Sequence, residues 1–169
     1  DVKLSHHLPE GYVPQPVVRW THPNLVLDIQ AGADGAPERS QALVRYTLRN
    51  PSTRQQTYTL AWVVRPWQVN PPQQFLNTPG GVRPITSLAW SEHALWVDGH
   101  ALLHPTAASR PSAAPGMATR VSALPYDAGL GLQALLDAPP LHTLQDPQAM
   151  ASAALQQRVT LASGAQMTW

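Results

Sequence analysis

Prolines and glycines divide this chain into short apolar runs, and that division is the strongest constraint on its fold. Eighteen prolines and ten glycines are spread along 169 residues. Because proline disrupts helix interiors and glycine favours turns, long helices are disfavoured over most of the chain. Between these breaks, apolar and polar residues alternate with the period of two that is typical of strands. The pattern predicts an all-β fold of many short strands.

Three runs are the clearest strand candidates. "NLVLDIQA" from Asn24, "QALVRYTLRN" from Gln41 and "TYTLAWVVRP" from Thr57 alternate and are rich in β-branched and aromatic residues. The last two flank a polar turn, and we expect them to form two long antiparallel strands. The dipeptide Asp98-Gly99 lies between two further apolar runs and is typical of a type I′ hairpin turn.

Two segments in the second half are candidates for helical turns. "GLGLQALLDAPP" from Gly129 fits either a short helix or a buried strand, since so short a run has no decisive period. Asp146 followed by Pro147 predicts the start of a helical turn, capped by the carboxylate. The final residues predict a strand, a Ser163-Gly164 turn and another strand.

These elements predict a large two-sheet antiparallel β-sandwich with at most short helical turns. Residues 1–16 are polar and interrupted by proline, and we expect them to form a loosely tied N-terminal arm. Residues 17–169 are expected to form a single sandwich domain. The start without methionine and the final strand-like stretch favour a domain excised from a longer protein.

The composition excludes several classes of function. The net charge of +1, with Lys3 as the only lysine and no evident basic cluster, predicts no nucleic-acid or anionic-membrane partner. Charged residues make up 12% of the chain, against about 25% in typical soluble domains, which suggests faces covered by another domain or chain. The absence of cysteine excludes disulfides, a cysteine nucleophile and thiolate zinc sites. No apolar run is long enough for a membrane helix.

No motif predicts catalysis, a metal or a cofactor. Glycoside hydrolysis needs two facing carboxylates. Most acidic residues lie in turn contexts, and only Asp127 and Glu92 are candidates, for which an ordinary surface or turn role is still the better interpretation. His6 and His7 are adjacent, so on a strand they point to opposite faces and cannot share a metal. Zinc, calcium and phosphate-loop signatures are all missing.

Four of the six tryptophans fall into two groups. Trp62, Trp90 and Trp96 lie inside predicted strands, and we expect them to pack in the core. Trp67 instead lies where a strand gives way to the long polar loop Arg65–Gly81.

This loop contains the candidate contact residues. An indole beside an arginine and amides can stack on a sugar ring while the polar groups bind its hydroxyls. Alternatively, Trp67 and Phe75 are apolar plugs that pin the loop or dock it on a neighbouring domain. The predicted contact set is Arg65, Trp67, Asn70, Gln73, Gln74, Phe75 and Asn77.

One stretch resembles a known family. "VRYTLRNPSTRQQTYTLAWVVRPWQVNPPQQFLNTPGGVRPI" is similar to the β-sandwich segment of large bacterial coagulation factor 5/8 type domain proteins, and "DPQAMASAALQQRVTLASGAQMTW" is similar to the final strands of such sandwiches. The similarity runs from Leu25 to the end and is densest between Tyr46 and Ile85. It implies a supersandwich of the galactose-mutarotase-like kind, associated with a helical barrel like that of glucoamylase-type glycosidases. The barrel would carry the catalytic carboxylates, because no catalytic position of the family maps onto this chain.

We therefore expect a non-catalytic ancillary domain of a larger carbohydrate-active protein, with an extracytoplasmic location favoured. Its expected partners are a neighbouring catalytic domain, whose sugar cleft the loop would help to shape, and carbohydrate itself. The first alternative is an independent carbohydrate-binding module. The others are a mutarotase-like epimerase, which would need Asp127 or Glu92 beside a histidine, and a purely structural assembly domain.

Overall fold

The computed structural model describes residues 1–66, 83–91, 94–103, 118–125 and 131–169. Within these ranges the regular structure is almost entirely strand, with one short α-helix and two 3-10 turns at Pro9–Gly11 and Pro37–Arg39. The elements are β1 (Lys3–His7), β2 (Val17–His22), β3 (Leu25–Asp34), β4 (Gln41–Arg49), β5 (Gln56–Val64), β6 (Ser87–Ser91), β7 (Ala94–Val97), β8 (His100–Leu103), β9 (Ala118–Leu124), α1 (Leu132–Asp137), β10 (Thr143–Gln145), β11 (Ser152–Leu161) and β12 (Gln166–Thr168). In this part of the chain, no helix has the length and hydropathy to cross a membrane.

The predicted all-β, antiparallel fold of the sandwich class is confirmed, and its strands form three sheets. The chain divides into two compact units. The first includes Asp1–Tyr58 and Val159–Trp169, and the second includes Thr59–Pro105 and Met117–Arg158.

The first unit contains a five-stranded sheet in the order β1-β2-β3-β4-β12. All of its neighbouring strands pair antiparallel. The N-terminal stretch, expected to be a loosely tied arm, supplies the edge strand β1, which pairs with β2 along all five of its residues. The closing β11–turn–β12 arrangement follows the prediction, with Gly164 at a positive φ of 71° in the turn.

Strands β4 and β5 form where the sequence predicts them, but they do not pair with each other. β4 lies between β3 and β12, whereas β5 lies beside β11 in another sheet. The polar segment that joins them therefore connects two sheets instead of closing a hairpin. Its fold depends on Asn50, which is fully buried and binds the backbone of Arg54 and Leu161.

The second unit is a sandwich. One layer is the sheet β10-β6-β7-β8, and the other contains β9 and β11 beside β5. Apolar side chains from both layers share one core. The buried members of that core are Ile85, Leu88, Leu95, Val97, Val121, Ala123, Leu141, Ala151, Ala153 and Leu155. Trp62 and Trp90 pack against this cluster, which confirms their predicted core role.

Local turn chemistry follows the sequence closely. Asp98 and Gly99 have φ values of 48° and 78° and join β7 to β8, so the predicted hairpin is confirmed. The ambiguous leucine-rich segment forms the helix α1. The carboxylate of Asp146 caps the following turn, accepting hydrogen bonds from the backbone N–H groups of Gln148 and Met150 at 3.0 Å. No helix follows this turn in the described structure, which corrects the helical part of that prediction.

Candidate binding surfaces

Most of the predicted contact loop lies outside the described residues. Arg65 is half-buried and directly follows β5, which ends at Val64, so the predicted strand end is in place. The six other predicted contact residues lie outside the described residues and stay predictions: Trp67, Asn70, Gln73, Gln74, Phe75 and Asn77. The candidate carboxylates Asp127 and Glu92 also lie outside the described residues, so their roles stay predictions as well.

The five-stranded sheet instead presents two chemically distinct faces. Residues that are directly paired across an antiparallel ladder point to the same face, and successive residues point to opposite faces. The register therefore assigns every side chain of the sheet to one of two surfaces.

The apolar face is defined by two cross-strand rows. The first row is Leu4–Trp20–Leu27–Leu48–Met167, and the second is His6–Val18–Ile29–Tyr46. Leu27 and Leu48, at the centre of the first row, are buried. Exposure rises toward the β1 edge, where Trp20 is 40% exposed and its partner Leu4 is 60% exposed. Two large apolar side chains thus stand side by side in solvent at one edge of this face.

The polar face is defined by three rows of residues. These are Lys3–Thr21–Val26–Arg49–Gln166, Ser5–Arg19–Asp28–Thr47–Thr168 and His7–Val17–Gln30–Arg45. Hydrogen bonds link its polar groups. The hydroxyls of Thr47 and Thr168, on neighbouring strands, are 3.2 Å apart, and the amide of Gln30 donates to Gln15, which precedes β2, at 3.0 Å.

A bidentate ion pair between Arg19 and Asp28 lies in the middle of the polar face. Arg19 donates from Nε to Asp28 Oδ1 at 2.6 Å and from Nη2 to Asp28 Oδ2 at 2.7 Å. These hydrogen bonds lower the pKa of the Asp28 carboxyl and raise the pKa of Arg19. Since both side chains are partly exposed, the pair adds at most about 1 kcal/mol to stability. Its main effect is to hold Arg19 and Asp28 in one fixed geometry on the sheet.

The basic residues of the polar face were missed by sequence reasoning, which predicted no basic cluster. Lys3, Arg19, Arg45 and Arg49 are separated along the chain, but strand pairing brings them to one surface. Arg45 and Arg49 are exposed, and neither forms an ion pair with any other described residue. The alternation of Arg45, Thr47 and Arg49 is visible in the sequence, but the partners of β4 are not.

Trp20 was missed for a related reason. It lies in a run, "VVRWTH", whose strand character is plain, and a tryptophan in a strand is usually a core residue. Trp20 lies on β2, at the end of the apolar face where exposure rises toward β1. Trp96, by contrast, is half-buried, and its indole N–H donates to the Ser91 carbonyl at 3.4 Å.

The other polar groups with clear geometry are structural. The Thr86 hydroxyl donates to Asp98 Oδ1, as do the backbone N–H groups of Thr86 and Ser87, and these hydrogen bonds lower the pKa of Asp98. Ser122 is fully buried, and its hydroxyl donates to the Leu135 carbonyl at 2.7 Å.

The histidines do not assemble a metal centre in the described structure. His6 and His7 lie on opposite faces of β1, as the sequence predicts. His100 contacts the Asp98 carbonyl through Nδ1 at 3.0 Å. Among the described residues, no group of three or more histidine, aspartate or glutamate side chains is placed to hold a metal ion.

Comparison with known proteins gives no match: no family model, no curated protein and no solved structure is significantly similar to this chain. The two sheet faces and the predicted loop are therefore the features that bear on its function.

Proposed function

We propose that this chain is a non-catalytic ancillary β-sandwich domain of a larger carbohydrate-active protein, and that it docks on a neighbouring domain of that protein through its apolar face. The observation that carries the proposal is the exposed pair Leu4 and Trp20, at the edge of a sheet face whose centre is buried.

The physical argument for docking is the cost of exposed apolar area. A large apolar side chain gains about 1.5–3 kcal/mol when it moves from water into an apolar contact. Tryptophan is among the residues that most often dominate the energy of an interface, and clustered exposed apolar residues commonly mark interaction sites. Leu4 and Trp20 are neighbours, so one partner surface can cover both.

The low charge content supports the same conclusion. Only 12% of the residues are charged, fewer than is usual in a soluble domain. This favours a domain in which part of the surface is covered by a partner. The carbohydrate context is supported by the resemblance of the segment around Tyr46–Ile85 to sandwich domains of helical-barrel glycosidase relatives. In this proposal the Arg65–Gly81 loop lies near the partner's sugar cleft.

The test compares backbone amide exchange in this 169-residue chain and in the full polypeptide encoded by its gene. We expect the amides of β1 and β2 to exchange more slowly in the full polypeptide, because the docked domain covers that edge. Trp20→Glu should abolish this protection. Thr21→Glu adds the same charge on the opposite face and should preserve it.

Two results would contradict the proposal. One is equal exchange of β1 and β2 in both proteins. The other is a full polypeptide that contains no domain active on carbohydrate, measured as release of reducing sugar from a panel of polysaccharides.

A further inference from the structure

We propose that the polar face binds a polysaccharide that carries carboxylate groups, such as a polyuronate. This surface is the reverse side of the sheet from the docking face, so both can be occupied at once. The choice of a glycan over other anions rests on the carbohydrate context proposed above, whereas the anionic character of the ligand follows from the charges of the face.

The charge balance of the face is positive. It carries the four basic residues Lys3, Arg19, Arg45 and Arg49, and Asp28 is the acidic residue within its three rows. Because Arg19 already neutralises Asp28, the remaining charge comes from Lys3, Arg45 and Arg49. Asp34 lies at the far end of β3, opposite Gln41, beyond the rows that carry these cations. A partner that complements this surface must be anionic.

The positions of the two exposed arginines suit a linear polymer. Arg45 and Arg49 are on the same face of β4, four residues apart, which corresponds to roughly 13 Å along a strand. Each guanidinium can donate two parallel hydrogen bonds to one carboxylate. Their separation places them on two different carboxylates of one chain, with Thr47 between them.

The polar groups beside the two arginines are of the kinds that bind sugar hydroxyls. Thr47 and Thr168 supply hydroxyls, Gln30 supplies an amide, and Asp28 supplies carboxylate oxygens that accept from hydroxyl donors. Asp28 remains ionised well below neutral pH, because the hydrogen bonds from Arg19 lower its pKa.

A nucleic acid fits the same face less well. Single-stranded nucleic acid is usually held by stacking on aromatic side chains, and duplex binding needs several phosphate contacts. The three rows that define the polar face contain no Trp, Tyr or Phe, and the carboxylate of Asp28 lies at their centre. The observations therefore favour a hydroxyl-rich polyanion.

The test is titration calorimetry of the intact chain with polygalacturonate and, in parallel, with alginate, both at low salt. The matched control ligand is methyl-esterified polygalacturonate, which keeps the sugar backbone but loses the charge. We expect binding to at least one of the charged polymers, weakening as salt is added, and no binding to the ester.

The variant that tests the site is the double substitution R45Q/R49Q. It should weaken binding at least about tenfold, equivalent to ~1.4 kcal/mol, since it removes two charged donors. The control R39Q/R158Q removes the same charge from exposed positions outside the five-stranded sheet and should bind within about twofold of the wild type, as expected for distant sites. Because all four arginines are exposed, circular dichroism should show every variant folded.

Three results would overturn the proposal: no binding to either charged polymer, equal loss in both double variants, or tighter binding to DNA of matched length. Trp20→Glu separates this proposal from the docking function, because it changes the opposite face and should leave polymer binding unchanged. If the docking experiment fails and the chain still binds the charged polymer, only the proposed docking is therefore contradicted.

Discussion

Asn50 makes more hydrogen bonds than any other side chain described in the first unit. Its amide N–H groups donate to the carbonyls of Arg54, Leu161 and Ala162 at 2.7–3.0 Å, and its Oδ1 accepts from the backbone N–H and the hydroxyl of Ser52. The residue is fully buried. It thereby joins the segment after β4 to the turn after β11, which is 111 residues away in sequence.

Replacing Asn50 with aspartate keeps the shape but removes the donors. A carboxylate would face three carbonyl oxygens, so we expect Asn50→Asp to lower the free energy of unfolding by about 2–4 kcal/mol at neutral pH. The loss should be smaller at about pH 4, where a protonated carboxyl can donate one hydrogen bond. Urea unfolding at both pH values measures this. An equal loss at the two values would contradict the assigned donor role.

Residue-level prediction from sequence succeeded where the interaction is local. Asp98 in its hairpin and Asp146 in its turn bind backbone groups that are close in sequence or belong to a neighbouring strand. Asn50 could not be identified in this way, because two of its partners, Leu161 and Ala162, lie more than a hundred residues away. The exposure of Trp20 could not be predicted either, since strand alternation does not reveal how much of a sheet face is covered.

Helix α1 illustrates how an element too short to be stable alone is held in place. Isolated helices of a single turn or two are unstable in water. Here the carbonyls at the C-terminal end of the helix accept hydrogen bonds from side chains of the neighbouring strands. Arg120 donates to the carbonyls of Leu136, Asp137 and Ala138, and Gln156 donates to that of Leu136.

Removing the guanidinium should therefore loosen the helix. We expect Arg120→Gln to lower the free energy of unfolding by about 1–3 kcal/mol and to speed amide exchange in Leu132–Asp137. Exposed Arg158, on β11, is the matched control, and R158Q should change neither quantity measurably. Unchanged exchange in α1 of R120Q would contradict this role of Arg120, and the packing of Leu135 with the hydrogen bonds from Ser122 and Gln156 would then account for the helix.

At the element scale, the sequence predicts strands better than their partners. Alternation over Gln41–Arg49 and Gln56–Val64 correctly predicts β4 and β5, because period-two patterning reflects one covered and one open face. It does not specify the neighbour, and the expected pairing of these strands was wrong. The basic surface depends on the true register, since β4 contributes Arg45 and Arg49 only when it lies beside β3.

For the whole molecule, the two faces of the five-stranded sheet have separate proposed roles: docking for the apolar face and glycan binding for the polar face. The seven-residue contact set from Arg65 to Asn77 remains a prediction, with Arg65 its described member. The fold class was predictable because the spacing of prolines and glycines between the apolar runs is visible in the sequence itself. The faces were not, because they arise from long-range pairing among β1, β2, β3, β4 and β12.

The central claim is that Leu4 and Trp20 dock this domain on the rest of its parent protein. The most direct measurement is calorimetric binding between this chain and the remainder of the polypeptide, expressed separately. We predict saturable binding that Trp20→Glu weakens at least about tenfold, whereas Thr21→Glu, on the opposite face, leaves it unchanged. No binding by the wild type, or equal weakening by the two substitutions, would contradict the claim.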